Sequence, residues 1–131
     1  MLKNVTRRPA LATIGALALV GALGTTQSAW AADITTVYTT DYAGHASWDD
    51  SARKLTVCDD KADGWGTRAY IYRPNSGDPG NGTVLLKVND PKSTGPCVRG
   101  SLASNPGGHI SLKVCSYQGA RVEDCDWKKI R

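Results

Sequence analysis

The chain has 131 residues, a formal charge of +4 from 16 Lys+Arg against 12 Asp+Glu, four cysteines and no phenylalanine. That length suffices for one domain and one core, not two. The basic excess gives no ground for a nucleic-acid partner: Lys3, Arg7 and Arg8 stand in an acid-free leader, and beyond residue 31 the formal charge falls to +1.

After those three cations comes an apolar run from Ala10 to Leu23, then small and polar residues ending at Ala29-Trp30-Ala31. This order is that of a secretory signal, with cleavage expected after Ala31. Residues 1–31 are thus read as signal and 32–131 as the mature, extracellular domain. The run reaches only about 21 Å as a helix, against a hydrocarbon core of about 30 Å, so no membrane span is expected once it is removed. Arg7-Arg8 also leaves twin-arginine export open beside the general route.

Short strand-length segments follow, separated by turn signals. Segments 35–39 and 43–48 come first; then Leu55 and Val57 alternate with Lys54, Thr56 and Cys58. In 68–73, Ala69 and Ile71 share one face while Tyr70 and Tyr72 share the other. Val84, Leu86 and Val88 alternate with Thr83, Leu85 and Lys87, and Ile110, Leu112 and Val114 with Ser111, Lys113 and Cys115. Segments 97–102 and 124–130 complete the set. Turns are expected at Asp63-Gly64, Asn89-Asp90-Pro91, residues 93–96 and 105–108, and Gln118-Gly119. Residues 74–82, rich in Gly, Asn and Pro, read as a mobile loop. Asn81-Gly82-Thr83 matches a glycosylation acceptor, but Asn-Gly is equally a turn signal and is read as one. Six to eight short strands with no helical periodicity predict an all-β antiparallel sandwich or small barrel.

Cys58, Cys97, Cys115 and Cys125 all follow the leader, an even number in an oxidising compartment, which implies two disulfides. No Cys-x-x-Cys pair favours zinc. Three connectivities are open. Because Cys58 and Cys115 share parity with polar neighbours, the bridges are expected at strand ends or edges and not across the core, unlike an immunoglobulin domain.

Few residues carry a chemical signal. Asp59, Asp60 and Asp63 beside Gly64 form a weak calcium candidate, although the spacing fails for an EF-hand loop because Lys61 and Tyr70 occupy ligand positions. The only histidines, His45 and His109, lack a nucleophile elbow or a free thiol and read as surface residues. Asp49-Asp50 and Asp59-Asp60 are sequence neighbours, which point apart on a strand instead of facing across a cleft. No catalytic residue, resident metal or cofactor is expected, and the chain is not read as an enzyme. The remaining hint is aromatic: Trp48, Trp65, Tyr70 and Tyr72 could form an exposed patch that stacks on a glycan or anchors an extracellular protein.

The run Leu55-Thr56-Val57-Cys58-Asp59-Asp60-Lys61-Ala62-Asp63-Gly64, with Cys97, Leu112-Lys113-Val114-Cys115 and Cys125, resembles small, largely uncharacterised secreted proteins of actinobacteria across nearly the whole mature chain. That resemblance implies a two-disulfide β-sandwich with Cys58 to Cys97 and Cys115 to Cys125 pairing, and no activity. Secreted α-amylase inhibitors share two disulfides on a six-stranded sandwich, but their contiguous Trp-Arg-Tyr turn is absent; Trp65, Arg68 and Tyr70 are interrupted. The expected function is a monomeric, non-catalytic extracellular binding domain, with a proteinaceous hydrolase inhibitor as the alternative and a small extracellular enzyme as a distant third.

Overall fold

A computed structural model describes residues 33–131; the expected leader and its cleavage after Ala31 lie outside the described residues. Eight strands follow in order: β1 (Ile34–Tyr38), β2 (Gly44–Asp49), β3 (Lys54–Asp59), β4 (Gly66–Asn75), β5 (Asp78–Asp90), β6 (Val98–Ser101), β7 (Ser111–Gln118) and β8 (Arg121–Lys129). They form two antiparallel four-stranded sheets, β1-β2-β3-β6 and β5-β4-β7-β8. No helix among the described residues is long and apolar enough to cross a membrane.

Alternation sets the inner faces. Val37, Ala46, Trp48, Leu55 and Val57 come from the first sheet and meet Ala69, Ile71, Val88, Leu112 and Val114 of the second, with Ile110 at the rim. Trp48 is fully buried. With no Phe available it is the largest side chain in this core, and its indole N–H donates to Asp50 Oδ1 at 3.0 Å, so burial leaves no donor unmet.

Two places depart from simple alternation. Between Ile71 and Tyr72 the β4–β5 register slips, pairing Ile71 with Leu86 but Tyr72 with Val84. The extra residue, Leu85, switches parity, so Val84 turns outward and is 52 % exposed instead of joining Leu86 and Val88. Residues 74–82 are also not a structureless loop: they complete the β4–β5 hairpin around a Ser76-Gly77 turn, with Gly77 at φ 89°. At Gly82 a Cβ would lie 1.7 Å from the Arg73 carbonyl oxygen, so only glycine admits this approach of the two backbones.

Both disulfides form, Cys58 to Cys97 and Cys115 to Cys125, and each joins neighbours within one sheet. Cys58 pairs in register with His45 on the side opposite Leu55 and Val57, and Cys115 alternates with Leu112 and Val114. The sulfurs therefore occupy outer faces, as the parity argument requires, and the core stays hydrocarbon.

By loop closure, the 39-residue Cys58–Cys97 separation contributes about 3.9 kcal/mol and the 10-residue Cys115–Cys125 separation about 2.7 kcal/mol. Replacing Cys58 and Cys97 with alanine should lower the denaturation midpoint further than replacing Cys115 and Cys125, and Trp48→Ala should cost about 3–5 kcal/mol. Chemical denaturation of the three variants measures this; equal midpoints for the two disulfide variants would contradict the ranking.

Candidate functional site: an aromatic groove between the edge strands

The four rings expected to share a patch do not. Trp48 lies between the sheets because it shares inner parity with Ala46 on β2. Trp65 precedes β4 and sits under the Arg121 guanidinium, 5.3 Å from its ring centroid, at the opposite end of an extended stretch of about 16 Å from Tyr70. Only Tyr70 and Tyr72 come together, on the outer face of the second sheet. Tyr72 is itself buried, which pushes its phenol pKa up, and its hydroxyl donates to the Pro79 carbonyl at 2.8 Å.

The acidic run likewise disperses. Asp60 Oδ2 meets His45 Nδ1 at 2.5 Å, Asp63 Oδ1 accepts from Trp65 N at 2.9 Å, and Asp59 Oδ1 accepts the Lys61 N–H at 3.4 Å. Among the described residues no group of three His, Cys, Asp or Glu converges in a way that could hold a metal. The calcium candidate is therefore not assembled, because each carboxylate already serves a local partner. His109 is exposed, while His45 stacks 5.3 Å from Tyr38, its cross-strand neighbour.

The structure instead brings Tyr38, Tyr42 and Trp127 to the lining of one open groove. The β1–β2 connection is held tightly. Thr39, nearly fully buried, accepts the Gly44 N–H at Oγ1 (3.1 Å) and accepts the Tyr42 N–H at its carbonyl (2.9 Å), and Asp41 Oδ1 accepts the Ala43 N–H at 3.2 Å. A Cβ on Gly44 would fall 1.8 Å from Thr67 Oγ1, so that backbone seats directly on the second sheet.

These bonds hold Tyr42 at φ 56°, a left-handed conformation that costs a non-glycine residue about 1–2 kcal/mol. Its ring is 77 % exposed and stands 6.0 Å from that of Tyr38.

Across from this turn lies β8, the edge of the other sheet. A bulge places Asp124 at φ 51°, and its carbonyl accepts the Thr40 N–H at 3.0 Å, fastening the turn to β8. Between the two edges runs an open groove of about 430 Å³, walled by Tyr38 and Tyr42 on one side and Trp127 on the other, with Thr36, Asp126 and Lys128 offering polar groups. Sequence reasoning missed it because Tyr42 carries no Gly or Asn to signal left-handed backbone, and Trp127 meets β1 only through sheet packing.

Burial is the chief cause of an upward pKa shift at Asp59; the nearby charges of Asp63, Asp90 and Asp60 add to it, against a lowering bond from the Lys61 N–H. The stability that protonated Asp59 lends is full below its ordinary pKa of 3.8 and is lost as pH rises through the raised folded value. Asp59→Asn should therefore melt higher than the parent protein at pH 7, the difference vanishing by about pH 3. Thermal scans across that range check the sign, and an Asn variant that melts lower at pH 7 contradicts it.

Comparisons with protein-family models, curated proteins and solved structures find no match to this chain.

Proposed function

We propose that this chain is a non-catalytic binding domain, exported to an oxidising compartment, that takes a glycan chain along the groove between β1 and β8. The observation that carries this reading is the open trough lined by the exposed Tyr38, Tyr42 and Trp127, whose charges, Asp126 and Lys128, offset each other. Flat apolar ring faces suit the C–H faces of a sugar, and the threonine, aspartate and lysine groups beside them suit its hydroxyls. A pre-set turn also lowers the ordering cost of binding. Two disulfides and a Lys/Arg-led apolar leader support export.

A second reading is favoured by the same turn: Tyr42 protrudes on rigidly bonded backbone, the form in which a hydrolase inhibitor presents a loop. Sedimentation with insoluble peptidoglycan and with cellulose, repeated for Trp127→Ala and Tyr42→Ala, tests the first reading. Retention of the parent protein on one polymer and at least a tenfold loss in each variant, about 1.4 kcal/mol or more, is expected. Absence of retention together with slowed turnover of an α-amylase or a serine protease, abolished by Tyr42→Ala, would replace glycan binding by inhibition.

A further inference from the structure

A second concavity lies on the outer face of the β5-β4-β7-β8 sheet, away from the groove. The register slips at Ile71/Tyr72 and Pro74/Asn75 bend the β4–β5 hairpin tip back over this face. Three side chains fasten it there. Tyr72 OH donates to the Pro79 carbonyl, Lys113 Nζ donates to the Gly80 carbonyl at 3.1 Å and to Asn81 Oδ1 at 3.0 Å, and Gly80 abuts the Trp127 indole, where a Cβ would lie 3.2 Å from Nε1.

Beneath the tip remains a pocket of about 250 Å³. Its walls are the Tyr70 and Tyr72 rings, Val84, Val122 and the Cys115–Cys125 bridge. Val84 is there only because the bulge at Leu85 turned it outward, so the irregularity that bends the hairpin also lines the cavity.

The charge of this pocket is unbalanced. An ammonium has three donors. Two from Lys113 go to neutral oxygens, one donor remains, and no carboxylate lies within salt-bridge distance of Lys113 among the described residues. Asp78, the acid on the hairpin tip, accepts instead from Asn81 Nδ2 at 2.8 Å. Lys87, which flanks Tyr70 in register on the side away from Lys113, is exposed and stands outside the pocket lining. A half-buried cation with a spare donor beside apolar walls is complementary to an anion that carries an apolar body.

We propose that this pocket binds a small organic carboxylate, its head on Lys113 and its apolar body against Tyr70, Val84 and Val122. The volume falls below that of drug-sized sites, which limits the ligand to a compact molecule. This site has its own lining and meets the groove only at Trp127, and the proposal does not rest on what occupies the groove.

The test is an NMR titration of the isotopically labelled protein with 4-phenylbutyrate and, separately, with its neutral amide. The carboxylate should shift the Val84 and Val122 methyls and the Lys113 side-chain signals saturably at millimolar concentration, and the amide should bind at least tenfold more weakly. Lys113→Gln, which keeps a donor for the Gly80 carbonyl, should weaken carboxylate binding at least tenfold, whereas Lys87→Gln should change it less than threefold. Equal binding of acid and amide to the parent protein, shifts centred on Tyr38 and Tyr42, or no saturable shift at millimolar probe would each overturn the proposal. The acid-against-amide comparison decides it even if Lys113→Gln fails to fold.

Discussion

The burial of Trp48 between two sheets that otherwise present small and branched aliphatic side chains is the packing event on which the sandwich depends. A chain without Phe has few ways to fill the space between its sheets, and an indole near the end of β2, buried in one cluster with Ala69, Ile71, Leu112 and Val114 of the other sheet, fills much of it. Its polar atom would be a liability there, but Asp50 just beyond the strand accepts its hydrogen bond, and Arg131 reaches the same carboxylate at 3.5 Å from the far end of the chain. One side chain thus links core packing to the closing of the C-terminus.

Features that distinguish this sandwich from a regular one arise where the ladders slip. The slip on β4–β5 turns Val84 outward and folds a hairpin over the second sheet; the slip on β7–β8 accommodates the Cys115–Cys125 bridge and swings the Asp124 carbonyl toward Thr40. Bulges commonly re-aim side chains near binding sites. Here they supply one wall of a pocket and the anchor of a strained tyrosine, so both concave surfaces trace to irregular backbone supported by regular strands.

How much of this was legible in the sequence depended on whether the signal was local. Leu55/Val57, Ala69/Ile71 and Leu112/Val114 alternate cleanly, and their inward placement follows directly. The outer-face cysteines were readable by the same parity. Val84 was misplaced because a bulge has no mark of its own in Thr83-Val84-Leu85-Leu86-Lys87, where every apolar residue fits either phase. Trp48 shares parity with Ala46, so alternation along β2 already places it inward and sets it apart from the other rings of the aromatic hint. The groove was the least legible, since Tyr38 and Trp127 belong to different sheets and meet through tertiary packing alone.

The placement of the two bridges has a mechanical corollary. Each staple joins strands of a single layer, Cys58 to Cys97 in one and Cys115 to Cys125 in the other, so no covalent tie crosses from layer to layer except the polypeptide itself. The layers are thus two internally riveted laminae held face to face by hydrocarbon contact and by rim hydrogen bonds such as Thr40 to Asp124 and Asp59 to Asp90. Under tension between the ends of the described chain, whose first strand edges one lamina and whose last edges the other, the interface is free to part while each lamina keeps its own rivet.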